Sequence, residues 1–201
     1  MKAVIIIDML EDFVYGSLKN DRAKKIIQPI SKLLNYARKK HWLVVYANDA
    51  HLPGDPEEKV WGPHALAGTP GAQVIKELKP KKGDVVLPKR TYSSFYETGL
   101  DLLFRQNGVK EVIITGQHTH ICVRHTSADA FARNYDIIIP SDAVESFSDK
   151  DHQEGLEYLK MCYKAKIVKV KDITRVWVGD WEKIFVLFWL SFFRLGERRR
   201  R

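Results

Sequence analysis

Cysteine is nearly absent: Cys122 and Cys162 are the two in 201 residues. Such a count does not support a disulfide framework and fits a reducing compartment. No apolar run approaches the roughly 20 residues that span a bilayer; Ile184 to Phe193 reaches ten. The N-terminus lacks the long apolar region and small-residue cleavage site of a secretory signal, because Met1-Lys2 leads straight into Ala3 to Ile7 and the acidic Asp8. A cytoplasmic protein with no transmembrane segment is expected. Repeats and low-complexity tracts are missing apart from Arg198 to Arg201, so disorder is not expected before the tail.

What is present suits one globular core. The chain is 45% apolar, 29% charged and 11% aromatic, enough to fill one sizeable domain and too little for two. We assign residues 1–173 to that domain and 174–201 to an apolar, arginine-rich tail. The net charge of +8 raises nucleic-acid binding as a reading. Its lysines and arginines are dispersed among acids, which describes a solvated surface, and no nucleic-acid partner is expected.

Short β-branched runs alternate with longer amphipathic stretches. They are Ala3 to Ile7, Leu43 to Ala47, Asp84 to Leu87, Glu111 to Thr115, Asp136 to Ile139 and Lys166 to Val170. Repeated βα units of this kind predict an α/β fold with a six-stranded, mostly parallel sheet and helices on both faces. Ile30, Leu33, Leu34 and Ala37 form a helical stripe, with Pro29 expected in the first turn of that helix. Thr69-Pro70 reads as a cap for a helix through Leu78, and Ser148 as the cap of another. Leu100 to Gln106, and a segment from near Ile121 to about Arg133, supply two more. The stretch from Leu52 to Pro70, rich in proline and glycine, reads as a long functional loop.

In an open parallel sheet, ligands bind beyond the carboxyl ends of the strands. Reactive side chains stand there: Asp8 after the first strand, Asp49 and His51 after the second, Lys89 after the third, and Gly116 to Cys122 after the fourth. Taken singly, Asp8 could be a strand-end cap, Lys89 a surface residue and Cys122 a small core residue. Together they offer a nucleophile, an acid/base and a cation. Cys122 also opens a helix, where backbone amides and the helix dipole stabilise a thiolate and can hold an oxyanion, so a thiol shifted toward ionisation is expected. Asp49 and His51 project to one side of an extended chain, and His64 on the long loop can join them, a donor set suited to Zn, Fe or Mn. His118, His120 and His125 are assigned to loop packing or substrate contact, Cys162 to structural burial, and Phe13 and Trp61 by default to packing.

This constellation resembles the isochorismatase-like cysteine hydrolases, and within them the nicotinamidases, over roughly residues 2 to 173. The motifs are Ile5-Ile6-Ile7-Asp8-Met9-Leu10-Glu11-Asp12-Phe13, Asn48-Asp49-Ala50-His51, Trp61-Gly62-Pro63-His64, Pro88-Lys89-Arg90, and Thr115-Gly116 through Cys122. The resemblance implies a catalytic trio of Asp8, Lys89 and Cys122. It implies a cis peptide between Gln117 and His118 and an oxyanion hole from the His118 and Cys122 amides. It further implies a divalent metal on Asp49, His51 and His64, and a substrate ring walled by Phe13 and Trp61. Where nicotinamidases commonly carry small and acidic or tyrosine residues, this chain has His118-Thr119-His120-Ile121, a bulk that narrows the pocket. The implied activity is hydrolysis of a small carboxamide, nicotinamide first, as in NAD salvage. A carbamoyl-amide hydrolase resembling N-carbamoylsarcosine amidohydrolase is the alternative within the class. Outside it stands a nonenzymatic binding or membrane-associated protein, suggested by the tail alone. The apolar stretch of that tail is read as a homo-oligomer contact.

Overall fold

The computed structural model describes residues 1–175. Seven strands are present: β1 Lys2–Ile7, β2 Leu43–Asp49, β3 Val85–Lys89, β4 Glu111–Gln117, β5 Asp136–Pro140, β6 Val144–Glu145 and β7 Lys166–Val168. The helices are α1 Glu11–Val14, α2 Lys24–Lys39, α3 Glu58–Trp61, α4 Leu100–Gln106, α5 Cys122–Ala132, α6 Asp149–Tyr163 and α7 Val170–Ile173. The sheet runs β3-β2-β1-β4-β5-β7, with β6 pairing to β4, and every named strand pair is parallel.

β1 lies between β2 and β4 and is covered on both faces, which is why it reads as an unbroken apolar run. Ala3, Ile5 and Ile7 pack with Leu100, Phe104, Val123, Ala130 and Leu159 of α4, α5 and α6. Val4 and Ile6, pointing the other way, pack with Ile26, Ile30, Leu33 and Leu34 of α2 and with Val170 of α7. Two cores separated by one sheet make a three-layer α/β/α domain. Because all strands run the same way, their carboxyl ends share one edge.

The sheet has seven strands where six were expected. β6 is two residues long, too short to show a period, and exists through its ladder with Gly116 and Gln117. The last predicted strand stops at Val168, and Val170 instead opens α7. Pro29 stands well inside α2, which begins at Lys24 and not near the proline. The helix expected from Thr69-Pro70 to Leu78 is reduced to the 3-10 turns Pro70–Ala72 and Lys76–Leu78. Thr69 Oγ1 donates backward to the Leu66 carbonyl at 2.7 Å and caps nothing. Glu11 N–H donates to the Gln73 carbonyl and Ile75 N–H to the Met9 carbonyl, so this backbone is held extended against the segment after β1 and cannot coil. Ser148 does cap α6, accepting from Asp151 N–H. Cys162, expected to be buried, is half-exposed. Among the described residues, no helix is long and apolar enough to cross a membrane. The tail expectations, Ile184 to Phe193 as an oligomer contact and Arg198 to Arg201, lie outside the described residues.

Candidate active site

The carboxyl edge gathers the side chains that the sequence placed at strand ends. Asp8 leaves β1 with φ +54°, a left-handed turn that aspartate tolerates better than most side chains. Its Oδ1 accepts from Asp49 N–H at 2.8 Å, and its Oδ2 lies 2.9 Å from Lys89 Nζ. Lys89 ends β3 and is only 1% exposed. Its ammonium also donates to Asp49 Oδ1 at 2.5 Å and stands 3.9 Å from Cys122 Sγ. A buried lysine is costly unless paired, and two carboxylates pair this one. Burial opposes its charge, but Asp49 and Asp8 hold it protonated, well above the usual lysine range.

Cys122 is the first residue of α5 and is buried, with a backbone N–H that, as a first-turn group, has no acceptor inside the helix. The sequence led to the expectation of a thiol shifted toward ionisation. The structure corrects this: burial pushes the thiol well above its ordinary value, Lys89 pulls it down, and Asp8 and Asp49 push it back up. Burial and the neighbouring carboxylates outweigh one ammonium and keep the thiol protonated at rest. Burial, followed by the charge of Asp49, raises Asp8 to about 6, a carboxylate poised to exchange a proton near neutrality.

A second cluster adjoins the first. Donor atoms of Asp49, His51, Glu57 and His64 all lie within 4.8 Å of one another, every residue buried. Asp49 Oδ2, His51 Nε2 and Glu57 Oε1 are enclosed without hydrogen-bond partners. Such orphans are rare in folded proteins, and their place in a cluster of donors fits a divalent cation. Around them the imidazoles are already oriented. His51 Nδ1 faces Asp55 Oδ2 at 3.3 Å, and His64 Nδ1 faces the Gly62 carbonyl at 2.7 Å, leaving each Nε2 for a ligand. Asp55 is itself fixed by Leu52 N–H and by Arg90, the neighbour of Lys89. The donor set suits zinc, iron or manganese. Asp49 and the two histidines were expected; Glu57 was not. Burial pushes its carboxyl up to about 8, with the charge of Asp49 adding to the effect.

Above both clusters opens a cavity of about 320 Å³ whose lining includes Phe13, Trp61, Tyr92, His118, Cys122 and Phe147. Phe13 packs edge-on against His64 and His118, and Trp61 Nε1 donates to the Tyr92 hydroxyl at 3.1 Å. Phe13 and Trp61 both line this cavity. Asp12 holds the loop of His64 by accepting from Ala65 N–H at 2.8 Å. The Gln117–His118 peptide is cis. Of the loop histidines, His120 binds the Ser146 hydroxyl and His125 the Ile121 carbonyl, while His118 lines the cavity. Tyr92 and Phe147 were not foreseen, the latter because it follows the unrecognised β6.

Comparison with known proteins agrees with this geometry. An isochorismatase domain model matches residues 2–172. The chain is 32% identical to the uncharacterized isochorismatase family protein YaaI of Bacillus subtilis, over 86% of this chain and 96% of that one. Among solved structures, N-carbamoylsarcosine amidase from Thermoplasma acidophilum is 40% identical with a TM-score of 0.80, covering 84% of this chain and 96% of that one. The pyrazinamidase of Pyrococcus horikoshii in complex with zinc is 31% identical with a TM-score of 0.78, covering 84% and 98%. A domain match over nearly every described residue, on a parallel sheet of the same shape, places this chain in the isochorismatase family of hydrolases.

Proposed function

We propose that the chain hydrolyses a small carboxamide through a thioester on Cys122, with nicotinamide, giving nicotinate and ammonia, as the first candidate substrate. The observation that carries this reading is the single buried cluster in which Lys89 Nζ contacts Asp8, Asp49 and Cys122 Sγ at the floor of the cavity. Asp8, with its carboxyl near 6, takes the thiol proton as Sγ attacks the amide carbon. Lys89 offsets the charge that grows on sulfur. The carbonyl oxygen, becoming an oxyanion, is met by the backbone amides of Cys122 and His118. Asp8 then gives its proton to the leaving nitrogen, the C–N bond breaks, and ammonia departs. Water attacks the thioester, Asp8 accepts a proton from it, and the acid product leaves Cys122 as a thiol again.

Asp49, His51, Glu57 and His64 would hold a divalent cation, zinc first, which when bound supplies a Lewis-acid contact for a donor atom of the substrate such as a ring nitrogen. Phe13 and Trp61 contribute flat apolar walls for the ring. Free thiols at Cys122 and Cys162 suit a reducing, cytoplasmic setting.

A second reading is hydrolysis of a carbamoyl amide. It is favoured by the 40% identity to N-carbamoylsarcosine amidase and by Lys19, a cation among the lining residues that suits a substrate carboxylate. Ammonia release from nicotinamide, pyrazinamide and N-carbamoylglycine, compared side by side, separates the two. Cys122→Ala should abolish turnover of whichever substrate is used while leaving the melting temperature nearly unchanged. Wild-type-like activity in that variant ends the thioester reading.

A further inference from the structure

His118 differs from its neighbours in one respect. His64, His120, His125 and His152 each direct a ring nitrogen at a protein oxygen. His118 is 4% exposed, yet its Nε2 is enclosed with no hydrogen-bond partner. Its ring does not float: it stacks on Phe147 with centroids 4.0 Å apart and planes 29° from parallel, and stands edge-on to Phe13 at 6.0 Å. Phe147 is fixed from behind, because the Ser146 carbonyl accepts from Asn20 and the Ser146 hydroxyl meets His120. A polar ring stacked on one aromatic, edge-on to another and lacking a protein partner at Nε2 is an unfilled hydrogen-bonding position in a residue that lines the cavity.

Position decides what that valence faces. The His118 carbonyl accepts from Ile121 N–H at 3.0 Å and Val123 N–H at 3.2 Å, which ties the residue to the turn bearing Cys122. Both line the same cavity. An amide presented to Cys122, with its carbonyl oxygen at the His118 backbone amide, shares the cavity with the ring of that same residue, and the cluster around Asp49 lines the same space. Burial, with the charge of His120 adding to it, lowers His118 to about 3, so the ring is neutral and offers one donor and one acceptor.

We propose that His118 is a specificity-determining residue whose imidazole hydrogen-bonds a nitrogen flanking the scissile carboxamide, so that the site prefers amides bearing that nitrogen over their carbon isosteres. The inference rests on the amide-hydrolase reading of the same cavity and goes beyond it by naming the feature that is recognised. It concerns the side chain alone; the backbone amide of His118 keeps the oxyanion role in every variant below.

Two pairs of compounds differ by that nitrogen. Pyrazinamide has a ring nitrogen where nicotinamide has a C–H next to the carbon bearing the carboxamide. N-carbamoylglycine has an N–H where succinamate has a CH2. The measured quantity is the ratio of kcat/KM for the nitrogen member to that for the carbon member, in wild type, His118→Phe and His118→Leu. Comparison across variants cancels the intrinsic reactivity of each amide. In the pair that wild type cleaves faster, the ratio should fall about tenfold in both variants, the scale of one lost hydrogen bond. The carbon member should lose less than the nitrogen member in His118→Phe, which keeps an aromatic ring to stack on Phe147. Phe147→Ala, which keeps the nitrogens but frees the ring, should lower the ratio by a smaller factor. An unchanged ratio, or an equal loss for both members, overturns the proposal. Should wild type release ammonia from none of the four, the hydrolase reading falls, and calorimetric binding of the same compounds to Cys122→Ala, with and without His118→Phe, takes over. Weaker binding of the nitrogen members alone supports the role of His118, while equal binding, or none, overturns it.

Discussion

Lys89 and Asp49 form an ion pair, Nζ to Oδ1 at 2.5 Å, that joins the thiol cluster to the carboxylate and imidazole cluster. The two oxygens of Asp49 serve different neighbours. Oδ1 holds the ammonium that stands by Cys122, and Oδ2 is left without a hydrogen bond, 3.6 Å from His51 Nε2. Charge placed in one cluster is therefore felt in the other. A cation near Oδ2 weakens the pull of Asp49 on Lys89, leaving the ammonium freer to favour a thiolate.

The cation site yields the first prediction. Protein purified without chelator should carry close to one divalent ion, zinc, iron or manganese, by elemental analysis. Asp55 faces His51 and is not among the clustered donors, so Asp55→Ala should weaken the apparent metal affinity by about 10- to 100-fold without removing a ligand. Glu57→Gln, which keeps one oxygen of an unexpected donor but removes its negative charge, should weaken it as well. Competition with a chromogenic chelator reads both. Retention of full affinity in Asp55→Ala would mean that His51 is oriented by its surroundings alone.

How much of this could be read from the chain depended on how local each signal was. β1, β2, β4 and β5 were legible because strands covered on both faces must be apolar along most of their length, as Val4 to Ile7 are, while the edge strand β3, with alternate residues exposed, showed as a short β-branched run. Asp8, Lys89 and Cys122 were legible for a related reason: parallel strands put their ends at one edge, so a reactive residue after each run implies convergence. Glu57 and Asp55 carry no such mark, since a long loop delivers them and nothing in its sequence tells which way it folds. Phe147 follows a two-residue strand defined by its partner. The Thr69-Pro70 signal was genuine as local chemistry and lost to backbone bonds with Met9 and Glu11.

Gly116 gives a stability prediction. It adopts φ +100°, and an added Cβ would lie 2.0 Å from the Ile7 carbonyl oxygen, with the Ile7 backbone carbon and nitrogen close behind. Backbone cannot step aside as a side chain can. Gly116→Ala should cost on the order of 3 kcal/mol or more, read from the denaturant midpoint, because β1 and β4 must part where they position Asp8 and the Cys122 loop. A loss below about 1 kcal/mol would show that these strands tolerate separation.

Asp8 sets the acidic side of the pH profile. Its carboxyl is raised to about 6, by burial first and by Asp49 next, and only the ionised form can take the thiol proton. Activity should therefore fall as pH drops through this value, approaching tenfold per unit. A cation at Asp49 offsets one of the charges that raise Asp8, so kcat/KM profiles at limiting and saturating metal should differ, with the limb at lower pH when metal is saturating. A limb that stays fixed between the two would remove Asp49 from the causes.

Lys89→Met tests the charge balance of the whole floor. The substitution keeps much of the aliphatic volume and removes the ammonium, leaving Asp8 and Asp49 as buried carboxylates with no cation between them. Breaking a buried pair this way costs about 3–5 kcal/mol, read as a loss of stability at neutral pH. The sign of its pH dependence follows from the protons bound. In the variant both carboxyls should be raised above their unfolded values, so the folded state binds more protons than the unfolded one. The stability lost at pH 7 should then return in part as pH falls through the raised values toward the ordinary carboxylate range. Cys122 reports the same change from the other side. Burial already holds the thiol up, and Lys89 is the first group that lowers it, so its loss should move the iodoacetamide alkylation midpoint to still higher pH, with Cys162→Ser as background so that one thiol is followed. An unchanged midpoint together with unchanged stability would mean that the two carboxyls are protonated at rest, and Lys89 would have to be removed from the proposed chemistry.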